Sequence, residues 1–473
     1  MTNSPRFLIE GMMLPSLSRR QFLQSTGSLA ALGPSLVAQA SEVGKTSSRV
    51  KVIHPAGRVP LSFVIDDSTC LVNMGHFCTP QFAAAYPKRA IYQRPWRAWP
   101  REIPDSFVRE FGTWCAEQGV KGKYSVVPNP ACVGWIDRLL PGWSRQQLQD
   151  SLKLVRELMM PNWDIHPEMI THTRVIDLKT GRPVGEISPS TMENSYPQTK
   201  QSVDELASYL AYALRILERC DLPCSGITTP GGFGNRVKQE LSLAVQQAVD
   251  AVFSPEIVHY FKYVQAGDQS TEPQLENVRG VGTDRLQLTV NVPAGTGDWF
   301  GGWQGVEPSD PDRYCNEEAT SGRIVDLIQK GMPAVMLCHW PGMYCNGSKQ
   351  GFQDFQRIVR SLATRFGGST KWMKLSEIAR YWCAKELTTV AESADGIRFD
   401  APYSAPEFTI ERTIVADEVP SQIKLVHHGN ATVLRRVDDR AQLMSDTWCC
   451  SGETCVVCLD LPKGASMLRF DRR

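Results

Sequence analysis

Leu61-Ser62-Phe63-Val64-Ile65-Asp66-Asp67 is the stretch on which the reading of this chain turns. A short apolar run closed by two acids reads as a strand buried on both faces, as parallel strands are. In α/β folds the C-terminal ends of such strands gather the chemistry, so Asp66 and Asp67 become candidate site residues. Adjacent strand residues point in different directions. One acid can therefore hold a metal ion while the other faces substrate and takes a proton.

Outward from this strand, helix and strand patterns alternate. Residues 105–119 carry Phe107, Phe111 and Trp114 at helical spacing and stop at Gly119. Residues 123–127 follow as a short strand. Ser144 and Gln147 form a capping-box pattern that opens a helix over 144–160. Val203, Leu206, Leu210 and Leu214 mark a helix over 200–219, and 226–229 is a strand closed by Pro230-Gly231-Gly232. A helix over 236–250, strands at 251–253 and 286–292, and a helix over 324–330 come next. Residues 334–338 form a buried strand ending in His339. Helices over 352–366 and 375–384 flank a short strand at 371–373. This alternation predicts an α/β domain over residues 60–387, its parallel strands closed or nearly closed into a (β/α) barrel. A doubly wound open sheet is the alternative, but no Gly-x-Gly-x-x-Gly follows the first strand. Beyond residue 388 short β-type runs separated by Pro, Gly, Asn and Asp predict a small C-terminal β-sandwich over 388–473.

The N-terminal forty residues read as an address label. Ser18-Arg19-Arg20-Gln21-Phe22-Leu23 precedes a mildly apolar stretch and Ala38-Gln39-Ala40, a small-x-small cleavage pattern. The segment resembles a twin-arginine signal peptide, which implies export to the periplasm or beyond. Residues 41–59 read as a polar linker. Residues 1–40 carry Arg6, Arg19, Arg20 and Glu10, so the remainder holds a formal −1 against +1 for the whole chain. A near-neutral remainder argues against nucleic acid as a partner. No later stretch is apolar for long enough to form an integral membrane segment. The sequence sets no oligomeric state. Fourteen cysteines in an exported chain suggest disulfides or buried thiols, rather than a zinc knuckle at Cys455 and Cys458.

Histidine is scarce, with 8 in the chain, yet His166 and His172 fall in one loop with Glu168, and His339 ends another strand. His and Asp gathered from separated loops suit a divalent transition metal such as zinc. Trp96, Trp99, Trp299, Trp303 and Trp340 lie in loops that can stack on sugar rings.

These features together resemble the polysaccharide deacetylase superfamily, the NodB-homology type of carbohydrate esterase, over residues 60–384. Phe63-Val64-Ile65-Asp66-Asp67 resembles its first motif. His166, Glu168, His172 and Thr173 resemble its second, which pairs two His four apart. Thr229-Pro230-Gly231-Gly232-Phe233-Gly234 resembles the Pro-Gly loop that lines the groove, and Val335-Met336-Leu337-Cys338-His339 the late strand carrying a general acid. Trp372-Met373-Lys374-Leu375-Ser376-Glu377-Ile378 resembles a barrel-closing segment.

The resemblance implies a distorted barrel with Asp66 as base and His339 as acid. It implies zinc on Asp67, His172 and His166, with Asp177 the reserve ligand. It also implies a polysaccharide or oligosaccharide substrate that loses an N- or O-acyl group. Thr229 stands where the family has an Arg that steadies the base. A glycoside hydrolase with a carboxylate pair drawn from Asp66, Asp164, Glu168 and Asp298 is a second reading. A non-catalytic carbohydrate-binding protein is a third, favoured if His166 and His172 pack away from Asp67.

Overall fold

The computed structural model describes residues 49–283, 285–302, 305–415 and 418–471, all within one compact unit. The twin-arginine segment and Trp303 lie outside the described residues. No described helix is long and apolar enough to cross a membrane.

The fold is mixed α/β. Four parallel strands form one sheet in the order Ala334–His339, Val59–Asp66, Gly122–Ser125, Trp163–His166, with Thr370–Trp372 also pairing with Val59–Asp66. A second sheet runs Gly226–Thr228, Val258–Phe261, Gln287–Asn291, then Gln274–Arg279 antiparallel at its edge. The sheets meet along two seams, giving a barrel-like arrangement. At one seam Thr228 N donates to Pro167 O at 3.1 Å beside a single Glu168–Thr228 bridge. At the other, Gly295 N donates to Val335 O at 2.8 Å and Leu337 N to Thr296 Oγ1 at 3.1 Å.

Register decides which side chains share the interior. Val64, Lys123 and Asp164 are partners across neighbouring parallel strands, as are Ser125 and His166, so each row faces one way. A Cβ on Gly122 would lie 1.9 Å from Phe63 O, so only glycine lets that strand close on its neighbour. Asp66 and His339 are register partners at the C-terminal ends of their strands.

Several expectations change. The 251–253 strand is the end of the helix Lys238–Val252, and the strand there is Val258–Phe261. The linker over 41–59 is ordered in its second half: Val50–Val52 pairs with Ala405–Thr413, and Ala56 is buried. Apolar Val50 seals an edge of the C-terminal core, so a solvated tether is excluded there. Val50–Val52 and the eight C-terminal strands form one nine-stranded sheet, not the two separate sheets of a sandwich. Parallel pairing of Arg435 and Arg436 with Thr447 and Trp448 joins its halves, and both halves enclose one core around Phe399, Phe408, Trp448 and Leu468. The helix Leu375–Leu387 packs between barrel and sheet, where Tyr381 OH donates to Ile53 O at 2.6 Å. All fourteen cysteines are free thiols, and Cys115, Cys338 and Cys383 are fully buried as small apolar side chains.

Candidate active site

Asp66 ends its strand inside the barrel. Its carboxylate is paired with the ammonium of Lys123, which is fully buried on the neighbouring strand. Lys123 Nζ also donates to Ile65 O at 2.9 Å and to Ser125 Oγ at 2.8 Å. Lys123 thus supplies Asp66 with a cation from the neighbouring strand. Burial, helped by the Glu168 charge, raises the Asp66 carboxyl to about 6, while Lys123 and His339 pull the other way.

Asp67 leaves the strand direction at φ 58, a left-handed conformation uncommon outside glycine. That turn sends its side chain to Glu168 and His172. Asp67 N donates to Glu168 Oε2 at 2.7 Å, and His172 Nε2 lies 2.8 Å from Asp67 Oδ1 and 3.4 Å from Glu168 Oε1. Donor atoms of these three buried residues all lie within 4.8 Å of one another. Burial pushes the Asp67 carboxyl up, with His172 opposing and Glu168 adding to the shift. Burial also opposes ionisation of Glu168, but His172, Lys123 and the Asp67 amide outweigh it and hold Glu168 at about 2. In His172 the burial penalty on the cation is overcome by Asp67 and Glu168, so its pKa is raised well above the usual range.

The cluster fits a divalent ion. Two buried carboxylates against one imidazolium leave a negative charge uncompensated, and Asp67 Oδ2 has no hydrogen-bond partner among the described residues. A divalent cation that displaces the His172 proton balances the set. Glu168 and His172 are four residues apart, the spacing of the resembled family's histidine pair, with Glu at the first position.

Glu193 shapes the loop that carries His172. Its carboxylate accepts from the amides of Ile170 at 3.1 Å, Thr171 at 3.0 Å and His172 at 2.6 Å, and from Tyr209 OH at 2.5 Å. His172 itself sits at φ 64, a conformation those bonds sustain. Burial raises Glu193 to about 7 against these donors. Replacing Glu193 with Gln is expected to weaken divalent-ion binding about 10–100-fold, as loss of a ligand's outer support does. Titration of the stripped protein with zinc measures this, and unchanged affinity removes Glu193 from the support of the site.

His339 lies beside Asp66 on the neighbouring strand. Its Nδ1 donates to Asp298 Oδ2 at 2.7 Å and its amide to the same oxygen at 3.0 Å. Burial works against protonation of His339. The Asp298 bond and the Asp67 and Asp66 carboxylates prevail and push its pKa up to about 9. Its side chain is 22% exposed, against 8% for Asp66 and 9% for His172, so the site opens to solvent on the His339 side.

The other expected residues divide. His166 is not beside Asp67: its Nε2 contacts His259 Nε2 at 2.9 Å, because its in-register position on the strand aims it into the barrel interior. Asp177 is solvated on the two-residue strand Ile176–Asp177 and bonds its own turn through Lys179 N at 2.9 Å. Trp99 and Trp340 are buried, Trp340 against Phe107, Phe111 and Tyr124, so they are core and not sugar platforms. Trp96 and Trp299 are half-buried and carry Arg97 and Arg313 over their rings at 4.5 and 4.2 Å. Pro230, Gly231 and Gly232 follow the strand Gly226–Thr228 at the same end of the barrel as Asp66, and Gly234 N donates to Tyr196 O at 2.8 Å. Among the carboxylates of the glycosidase reading, Asp164 is engaged by Ser376 N at 2.6 Å and Ser376 Oγ at 2.7 Å.

No protein-family model and no curated protein matches the chain. Among solved structures, a mutant of a CE4 family pseudoenzyme with restored enzymatic activity is 11% identical, covering 70% of each chain at a TM-score of 0.29. A protein from Parabacteroides distasonis described as a glycoside hydrolase/deacetylase is 10% identical, covering 84% of this chain and 90% of its own at 0.36. An alpha-fucosidase from Thermotoga maritima is 11% identical, covering 89% and 97% at 0.27. TM-scores this low leave the function to be argued from the chain's own residues.

Proposed function

We propose that this chain is a metal-dependent hydrolase that removes an N- or O-acyl group from a polysaccharide or oligosaccharide, acting after export to the periplasm or beyond. The observation that carries the reading is the division of labour between two adjacent acids. Asp67 joins Glu168 and His172, while Asp66 pairs with Lys123 and His339 pairs with Asp298. The carbohydrate and the export rest on the sequence resemblances.

Asp67, Glu168 and His172 hold the ion, and their mixed oxygen and nitrogen donors suit zinc or a neighbouring divalent transition metal. A bound divalent ion supplies Lewis-acid activation of water and of an acyl carbonyl. Asp66 takes the water proton. Lys123 occupies one of its oxygens and stabilises the carboxylate before transfer. His339 is protonated at neutral pH and, with Nδ1 tied to Asp298, offers its Nε2 proton to the departing amine or alcohol. The half-buried Trp96 and Trp299 remain the aromatic candidates for a sugar face.

Metal analysis of the purified chain and its Asp67→Ala variant, with acetate release from N- and O-acetylated glycans, tests the reading. The variant is expected to lose one ion per chain and about 10³-fold in acetate release, the scale of several kcal/mol of Lewis-acid stabilisation. Unchanged ion content and turnover sinks it.

A pH prediction follows from His339. Only its protonated form donates, so activity should fall on the alkaline side as His339 loses its proton; the Asp298 bond raises that limb and a cation held by Asp67 lowers it. Asp298, Asp67 and Asp66 face the ring, and Asp298→Asn removes the charge bonded to it while keeping an oxygen that accepts. The alkaline limb should then move down by about 1 unit or more toward the ordinary His range. A limb that stays in place in the pH–rate profile excludes His339 as the acid.

A further inference from the structure

A second cluster lies below the candidate active site. His166 ends the strand Trp163–His166 in the first sheet, and His259 lies on Val258–Phe261 in the second. Their Nε2 atoms are 2.9 Å apart, and Asp164 Oδ2 is 3.8 Å from His259 Nε2. All three donor atoms fall within 4.8 Å of one another, and both histidines are fully buried.

Two of the three donors are held from behind. His166 Nδ1 bonds Thr228 Oγ1 at 3.2 Å, and when it donates there Nε2 carries the lone pair. Asp164 takes both the amide and the hydroxyl of Ser376. Outer partners of this kind orient the ligands of metal sites. The wall is Gly226: a Cβ there would lie 2.6 Å from His166 Nε2 and 2.7 Å from His259 Nε2. An ion about 2.0–2.1 Å from each nitrogen fits between them at an angle of about 90°, and a few tenths of an ångström of opening makes it tetrahedral.

The position gives the site a purpose. Trp163–His166 and Gly226–Thr228 belong to different sheets, and among the described residues one isolated bridge, Glu168–Thr228, marks their seam. His166 and His259 meet across that seam, over Gly226. We propose that Asp164, His166 and His259 hold a second divalent transition-metal ion, of the zinc class, that fastens the barrel where its hydrogen-bond ladder is broken. Two histidines and one carboxylate are donors of the zinc class. The rival account is a plain N–H···N bond between two neutral imidazoles.

Zinc content per chain separates the two accounts. The wild-type chain is expected to hold two ions, Asp67→Ala one, His259→Gln one and the double variant none. A chelator should lower the unfolding midpoint of Asp67→Ala but leave that of His259→Gln Asp67→Ala unmoved. An Asp67→Ala chain that holds no zinc overturns the proposal whether or not the His259 variants fold. A wild-type chain whose ion content His259→Gln leaves unchanged overturns it too. Equal ion content in wild type and Asp67→Ala is a different result, and it strikes the Asp67 site instead.

Discussion

Lys123→Met is expected to destabilise the protein by about 3–5 kcal/mol, the range for breaking a buried ion pair by removing one partner. The asymmetry of the pair explains the size. Lys123 is fully buried and donates to three acceptors: Asp66, Ile65 O and Ser125 Oγ. Asp66 has Lys123 as the cation bonded to it, with Glu168 adding a like charge nearby. Methionine matches the length of the lysine stem but leaves Asp66 as a buried, uncompensated acid. Turnover should fall with stability, because a protonated Asp66 cannot accept a proton from water. Adding Asp66→Asn to Lys123→Met should recover most of the lost stability and none of the activity. Urea unfolding of the single and double variants gives the coupling directly. A single variant as stable as wild type shows that the pair adds nothing.

The strand order near the site was legible because the apolar runs at 61–65 and 334–338 end abruptly in Asp and His. Such ends project side chains onto one face of a parallel barrel, and register does place Asp66 beside His339. The ligand set was harder to read. A two-histidine pattern points to His166, six residues before His172, whereas Glu168 has the spacing of four. Lys123 carried a signal, since a lysine within an apolar strand is rarely buried unless paired. Its partner could not be named, because the pairing depends on which strand lies beside Val59–Asp66. Glu193 and Asp298 come from loops distant in sequence, so only the folded chain brings them to His172 and His339. The helix Met74–Ala85 went unread because it buries most of its circumference and contains Pro80, leaving no single apolar stripe. Tryptophans in loops looked like platforms, yet Trp99 and Trp340 are core. Residue type in a Gly-rich or Pro-rich stretch does not reveal which way a ring faces.

Asp66→Asn is expected to lower turnover by about 10²–10⁴-fold, the usual contribution of a positioned base, with ion content unchanged. The substitution keeps an oxygen for Lys123 to bond, and Ile65 O and Ser125 Oγ stay in place, so the ammonium keeps its hydrogen bonds while losing its paired charge. The loss of stability should therefore be smaller than for Lys123→Met. The ion should stay because Asp67, Glu168 and His172 are untouched, and Asp67 reaches them through a backbone turn that Asp66 does not make. Removing the base but not the ion thus distinguishes two acids that are neighbours in sequence. Ion analysis and acetate release on the same preparation decide it. If Asp66→Asn loses its ion, Asp66 is a ligand and the base must be sought elsewhere. If turnover is unchanged, water is activated without Asp66, and its pairing with Lys123 is purely structural.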